Sequence, residues 1–493
     1  MASSQREFSI NPFDDDKLRE ECGVFGFYGH PDAAAHVALG LHALQHRGQE
    51  AAGIVSFDGA HFHSHRSLGS VGDHFSSANV IDQLSGASAI GHVRYSTTGE
   101  TVIRNVQPLF ADLAGGGLAI AHNGNITNAT QLRRRLEKRG SIFQSTMDTE
   151  VIVHLIATCS SPGFVEKLID ALHHLVGAYS LVIQTNEALI GARDPRGVRP
   201  LVLGELDGSY ILCSETCALD IIGATFVRDV EPGEVIVIDE AGLRSLQPFP
   251  AAVKNRFCVF EYIYFARPDS VVEGVNVYQS RKKMGSELAK EHGVEADLVV
   301  PVPDSGVPGA IGYAEYAGLP FDLGIIRNHY VGRTFIEPMD SIRHLGVRLK
   351  HNANRAALSG KRVILIDDSI VRGTTSTKIV ELVRAAGATE IHMRIASPPT
   401  GHSCYYGVDT PNQDQLLASQ MDVAAMGEYI GVDSLAFISI DGMYRAMGFQ
   451  GRDNDSPQFC DACFTGDYPI PLTDLVDGEE SAQLSLLDEA SGS

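Results

Sequence analysis

Three sets of residues in this chain have types and spacings that could do chemistry. The first is a single thiol. Cys22 opens the run Cys22-Gly23-Val24-Phe25-Gly26-Phe27, behind a polar leader from Met1 to Glu21. A catalytic thiol needs a base beside it. A thiol at a chain's own N-terminus carries one, because an α-amino group has a pKa of roughly 7.7–8.0 and can accept and return a proton near neutrality. Cutting the Glu21–Cys22 bond would make Cys22 such a residue and would make residues 1–21 a propeptide. Taken alone, a cysteine in an apolar run reads as a small buried hydrophobe. The rest of the chain tips the balance towards chemistry.

The second set is Val363-Ile364-Leu365-Ile366-Asp367-Asp368-Ser369-Ile370-Val371-Arg372-Gly373-Thr374-Thr375. An apolar strand delivers two adjacent acids to its carboxyl end, and a Gly/Thr loop then runs into a helix. Backbone N–H groups of such a loop cradle a phosphate, and the threonine hydroxyls add donors. The two acids can hold ribose hydroxyls or a hydrated Mg²⁺. Pro303-Asp304-Ser305-Gly306 ends another strand and could give a hydroxyl to the same metal. Between the two loops lie Arg327, Asn328, His329, Arg333, Arg343, Arg348 and Lys350, a basic stretch in an acidic protein. Such a run suits a polyanionic substrate, and Gly332 and Gly346 suit a loop that closes over it.

The 363–375 pattern resembles the phosphoribosyl pyrophosphate loop of phosphoribosyltransferases. The resemblance implies substrate binding by Asp367, Asp368, Ser369, Arg372, Gly373, Thr374, Thr375, Arg327, Arg333 and Tyr264. It implies one Mg²⁺ per subunit on Ser305, Asp367 and Asp368. Gln45-His46-Arg47-Gly48-Gln49-Glu50, Gly91-His92-Val93-Arg94-Tyr95-Ser96-Thr97, His122-Asn123-Gly124 and Met147-Asp148-Thr149-Glu150 resemble, in this order, the signatures of class II glutamine amidotransferases. These are N-terminal-nucleophile hydrolases. At matching positions Cys22 would attack the glutamine amide, and Asn123 with the Gly124 N–H would form the oxyanion hole. Arg47, Arg94, Thr97 and Asp148 would bind glutamine, Arg94 its carboxylate and Asp148 its ammonium.

Together the two halves resemble the glutamine phosphoribosylpyrophosphate amidotransferases, from Cys22 to about Tyr468. That family opens purine synthesis. Glutamine and phosphoribosyl pyrophosphate are the implied substrates, with purine nucleotides as feedback inhibitors and a homo-oligomer, dimer or tetramer, as the assembly. Glu261-Tyr262-Ile263-Tyr264-Phe265-Ala266-Arg267-Pro268-Asp269-Ser270 is also a family string and implies signalling between the sites. The leader is longer than the resemblance leads one to expect. A glucosamine-phosphate-forming amidotransferase would lack the Asp367-Asp368 loop. A phosphoribosyl pyrophosphate-binding regulator would need neither Cys22 nor Asn123-Gly124.

The third set is Cys460-Asp461-Ala462-Cys463. Alone it reads as a zinc half-site, a redox pair or chance. Cys258 and Cys404 supply two further thiols, and four thiolates can hold a [4Fe–4S] cluster or a zinc. The iron–sulfur type of the resembled family has cysteines at these places and a cleaved leader, which implies one structural [4Fe–4S] cluster per subunit. Cys159, Cys213 and Cys217 read as core or incidental residues.

The elements that must position these groups fall into two rhythms. Over 22–250, short strands (Cys22–Tyr28, Ala52–Phe57, Leu118–Ala121, Leu181–Gln184, Glu234–Ile238) alternate with helical patterns at Ala34–Gln45 and Thr149–Ala157. This predicts an α+β domain of stacked antiparallel sheets, and the resemblance makes it an αββα N-terminal-nucleophile glutaminase. Over 251–470, continuous apolar strands (Ala296–Val302, Arg362–Ile366, Glu390–Ile395) alternate with helices at Gly309–Ala317 and Thr375–Ala386. This predicts a buried parallel sheet with ligands at the strands' carboxyl ends, and the resemblance makes it an α/β type I phosphoribosyltransferase domain. Residues 471–493 read as a disordered acidic tail. A length of 493 residues, 44% of them hydrophobic, suits such soluble domains. The net charge of −22 argues against a nucleic-acid or membrane surface. The leader has no apolar segment of a secretory signal, and the scattered cysteines imply a reducing compartment, so the expected location is cytoplasmic.

Overall fold

The computed structural model describes residues 19–20, 22–95, 102–250, 253–328 and 351–476. Strand alternation builds the first domain. Along Cys22–Tyr28, Val24 faces a core shared with Val55, Ile90, Ala121 and Val182, while Phe25 and Phe27 face the opposite way, into a helical layer. Gly26 lies on the Val24 face, where a Cβ would come within 2.6 Å of Val182. Its lack of a side chain lets a second sheet approach closely. On the other face, the Phe25 ring occupies the space a Cβ on Gly40 would need, so the helix Ala33–Ala43 seats directly on the strand.

This gives two stacked antiparallel sheets. One has seven strands with Cys22–Tyr28 near its centre, beside Ser88–Arg94. The other has six strands and is built around Gly116–Ile126 paired with Gly177–Thr185. Helices Thr149–Thr158 and Phe164–His174 cover the outer face of the second sheet. The order helix, sheet, sheet, helix is the expected αββα sandwich. The strand expected over Leu118–Ala121 extends to Ile126.

The second domain is built on four parallel strands in the order Leu298–Pro301, Arg362–Asp367, Glu390–Ile395, Ser434–Phe437. Both faces are covered: Val300 and Leu365 enter one core, Val299 and Ile364 another. That accounts for the continuous apolar runs. Pro301 pairs with Ile366, so the loop after the first strand lies beside Asp367.

The two domains share a core. Ala178 and Val198 of the first join Phe260, Tyr262, Tyr406 and Cys460 of the second in one buried cluster. The tail expected to be disordered from residue 471 is ordered further on than that. Thr473–Val476 is a short helix, and the Asp474 carboxylate accepts the N–H groups of Thr130 and Gln131 at 2.8 and 3.1 Å. These amides open the helix Ala129–Glu137, whose preceding residue, Asn128, gives no side-chain cap. Residues 477–493 lie outside the described residues. No helix among the described residues is long and apolar enough to cross a membrane.

Candidate active sites and a thiol-lined cavity

Cys22 is buried at the start of its strand, with Arg94 directly opposite in register. Across the sheet stack runs Gly116–Ile126, which carries His122, Asn123 and Gly124 within the strand itself. Both polar atoms of the Asn123 amide are buried without a hydrogen-bond partner. Such an orphan is costly unless a ligand satisfies it. Gly124 has φ +142°, and a Cβ there would lie 2.1 Å from the Ala178 carbonyl oxygen, so only glycine fits.

Asp148 is buried beside this strand. Its Oδ2 accepts the Ile126 N–H at 2.9 Å, its Oδ1 accepts the Thr149 hydroxyl at 3.3 Å, and His122 Nδ1 lies 3.6 Å away. Burial pushes its carboxyl up, but the His122 charge and these hydrogen bonds outweigh it and hold the group below the usual carboxylate range. The result is a buried anion suited to an ammonium. Behind it, Gln107 Oε1 accepts the His122 N–H at 2.8 Å, and His92 approaches the His122 carbonyl at 3.1 Å. Burial pushes His92 down to about 3, so it is neutral at working pH.

Arg47, expected to bind glutamine, is engaged with protein groups. It is fully buried, donating from Nε to the Cys22 carbonyl at 3.1 Å and from Nη2 to Glu261 at 2.9 Å, and it pairs with Glu215. Its place is behind the nucleophile, tying the first strand to the second domain. Glu215 also accepts the Ser270 hydroxyl at 2.7 Å and the Arg267 N–H at 2.9 Å. Burial pushes Glu215 up, but His46 and Arg47 hold it well below the carboxylate range. Sequence reading missed Glu215 and Arg199. Neither sits in a string that stands out, and their partners lie far away in the chain.

In the second domain, Asp367 and Asp368 are buried at the carboxyl end of their strand. The Asp368 N–H donates to Asp367 Oδ1 at 2.9 Å, and the Ser369 hydroxyl to Asp368 Oδ1 at 2.7 Å. Gly373, at φ +80°, turns the loop into the helix Thr374–Ala385, whose first two residues are Thr374 and Thr375. Ser305 lies in the neighbouring loop, which is laid against this strand by the Val302 N–H donating to the Ile366 carbonyl at 2.8 Å. Arg327 is half exposed and paired with Asp304 at 2.5 Å, while the Arg372 guanidinium reaches Gln415 at 3.4 Å. Tyr264 is on the π-helical turn Glu261–Phe265. Arg281, also missed, holds that turn by donating to the carbonyls of Tyr262 and Ala266 at 2.9 and 2.7 Å. Burial pulls its pKa down to about 10, against the opposing charge of Asp368. Thr97 and Arg333 lie outside the described residues, as does most of the expected closing loop, from 329 to 350.

Cys258, Cys404, Cys460 and Cys463 line one cavity, with Phe260, Tyr406, Val408 and Tyr468 among its other walls. Cys258 and Cys460 are paired residues of a short parallel ladder. Burial pushes the Cys258 thiol up to about 12; burial with Cys258 and Cys404 pushes Cys460 well up, and burial with Cys258, Cys404 and Cys460 does the same for Cys463. Among the described residues no three His, Cys, Asp or Glu converge to hold a single ion; the thiols ring a space instead.

A glutamine amidotransferase domain model matches residues 92–220. Amidophosphoribosyltransferase of Rhizobium etli is 59% identical over 486 residues, covering 97% of each chain. That of Bacillus subtilis is 48% identical, covering 92% of this chain and 95% of the relative. The chain belongs to the amidophosphoribosyltransferase family. It is accordingly an enzyme with glutamine amidotransferase activity, acting at the first step of purine biosynthesis. The fold agrees. The Bacillus subtilis glutamine phosphoribosylpyrophosphate amidotransferase, solved with ADP and GMP, superposes with a TM-score of 0.87 at 47% identity, covering 92% of this chain and 98% of that one. The fold is therefore an N-terminal-nucleophile glutaminase joined to a phosphoribosyltransferase domain.

Proposed function

We propose that the residues described above divide the family's reaction between two sites. The Cys22 thiolate attacks the glutamine amide carbon, ammonia leaves, and water then releases glutamate from the thioester. In the full-length chain the Cys22 nitrogen is an amide and cannot act as a base. The reading therefore includes removal of residues 1–21 as a propeptide, which frees the α-amine. Arg94, with Thr97, holds the substrate carboxylate and Asp148 its ammonium. Asn123 and Gly124 receive the developing oxyanion. The observation that carries this reading is the buried, unpartnered Asn123 amide on the strand facing the Cys22 strand.

Ammonia then displaces pyrophosphate from the anomeric carbon of phosphoribosyl pyrophosphate, giving phosphoribosylamine. The 369–375 loop holds the 5-phosphate on backbone N–H groups and on the Thr374 and Thr375 hydroxyls. Asp367 and Asp368 hold the ribose hydroxyls, with Tyr264, Arg327, Arg333 and Arg372 around the substrate. Two adjacent buried carboxylates beside the Ser305 loop form an oxygen donor set suited to Mg²⁺. When bound there, the ion would offset the charge of the leaving pyrophosphate.

The four thiols around one cavity fit a [4Fe–4S] cluster better than a single zinc, because they surround a volume rather than meet at a point. With no electron transfer in the reaction, its role is structural. Purine nucleotide feedback, a homo-oligomer of two or four subunits and a cytoplasmic location complete the reading.

The test is a pair of variants in processed protein. Cys22→Ala is expected to abolish use of glutamine and leave synthesis from free ammonia. Asp367→Asn with Asp368→Asn is expected to abolish transfer from either nitrogen source while some glutamine hydrolysis survives. Loss of both activities in folded Cys22→Ala protein would contradict the two-site reading.

A further inference from the structure

The oxyanion strand is not supported by its own domain alone. Three residues of the second domain, Tyr405, Tyr406 and Gly407, lie against it. Asn125, next to Gly124, donates from Nδ2 to the Tyr405 carbonyl at 2.9 Å. Arg199, fully buried, donates from Nε to the Tyr406 carbonyl at 2.9 Å. Gly407 has φ +108°, and a Cβ there would lie 2.9 Å from Gly124 Cα and 3.0 Å from Arg199 Nε. Here backbone rests on backbone, at the glycine whose N–H is assigned to the oxyanion hole.

Arg199 also donates from Nη1 to Glu261 at 3.1 Å, on the same oxygen that receives Arg47 at 2.9 Å, and Arg47 holds the Cys22 carbonyl at 3.1 Å. A chain of contacts therefore runs from the nucleophile through Arg47, Glu261, Arg199 and Tyr406–Gly407 to Gly124. Cys22, Arg47, Glu261, Arg199, Tyr406 and Gly407 are buried, and Gly124 is partly buried. The nucleophile's strand and the oxyanion glycine are thus linked through residues of the second domain. An oxyanion donor acts only if it stands within about 2.7–3.1 Å of the developing charge, so a shift of a few tenths of an ångström matters.

We propose that Tyr405–Gly407 is a buttress for the oxyanion hole, with Gly407, Asn125 and Arg199 as positioning residues for glutamine hydrolysis. This rests on the assignment of Cys22, Asn123 and Gly124 given above. The segment starts next to Cys404, so its position is tied to the thiol-lined cavity: the Tyr406 N–H donates to Cys404 Sγ at 3.4 Å.

The test uses the full processed enzyme. Gly407→Ala should lower kcat for glutamine hydrolysis about tenfold, part of the roughly 10²–10³ lost when an oxyanion donor is removed outright. Glutamine KM should stay within about threefold, since the buttress acts on the transition state. Ammonia-dependent synthesis should stay within about twofold. Iodoacetamide should alkylate Cys22 at the native rate, because that displacement builds no oxyanion. Asn125→Ala, which deletes one hydrogen bond without crowding, should lower the same kcat by about threefold. Native kcat in Gly407→Ala, or a matching fall in alkylation rate, would overturn the proposal. If Gly407→Ala does not fold, native kcat in both Asn125→Ala and Arg199→Lys overturns it. Asn123→Ala separates the two readings: if it retains native hydrolysis, the site assignment itself fails, whereas its loss beside a native Gly407→Ala condemns only the buttress.

Discussion

Asp148 is buried yet stays ionised, and the reason decides what it can bind. Burial alone would neutralise it; the His122 charge and the Ile126 and Thr149 hydrogen bonds prevent this. The sign follows. A carboxyl with a depressed folded pKa gives stability that is fully present above its unfolded value of about 3.9 and is lost only as pH falls through the lower folded value. Glutamine KM should therefore show no Asp148 titration between neutrality and about pH 5. Asp148→Asn should raise that KM roughly 10–100-fold, matching a charged hydrogen bond worth about 1.5–3 kcal/mol, and leave ammonia-dependent synthesis intact. Steady-state kinetics with each nitrogen source checks both. Cys22, Asn123, Gly124 and Asp148 stand out in the sequence because each sits in a short string whose expected chemistry is local, and the fold places Asn123, Gly124 and Asp148 on or beside one strand. The partners of Arg47 were not legible. An arginine in such a string asks for a carboxylate partner, and here the carboxylates are Glu215 and Glu261, 168 and 214 positions away and reached only through the fold.

At the scale of elements, propensity failed where tertiary pairing overrides it. His122-Asn123-Gly124-Asn125 are poor strand formers, so the sequence suggested a strand ending at Ala121. In the fold all four residues pair with Ala178–Leu181 and the strand runs on to Ile126. The parallel strands were legible because burial on both faces leaves nothing but apolar side chains. The Asp474 cap was not, because an acidic residue in an acidic stretch carries no sign of a partner 344 positions earlier. Its contribution can be measured locally. Removing a capping carboxylate costs about 1 kcal/mol, which corresponds to roughly fivefold in a local opening equilibrium. Asp474→Ala should speed hydrogen exchange at the Thr130 and Gln131 amides by about that factor. Unchanged protection there would show that the helix Ala129–Glu137 does not depend on the chain's end.

At the largest scale, one buried cluster joins both domains and reaches Ile470; Cys258 and Cys460 belong to it, and Cys404 and Cys463 pack against it. Cys258, Cys404 and the Cys460/Cys463 pair are far apart in sequence. A shared metal group would close long loops and restrict the unfolded chain strongly, by several kcal/mol in the chain-entropy picture. It would also relieve Cys258, Cys460 and Cys463, whose thiols burial and the neighbouring thiols push up. Cys460→Ser should therefore cost solubility and global stability rather than one catalytic step. In whatever folded fraction remains, glutamine-dependent and ammonia-dependent activities should fall together, by the same factor within about twofold. Native protein purified without oxygen should be brown and carry about four irons per chain, and air should bleach and destabilise it. Iron, sulfide and zinc analysis beside a thermal melt decides the matter. A colourless, fully active protein with one zinc or no metal would remove the cluster while leaving both active sites as described, because neither routes a step of the reaction through these thiols.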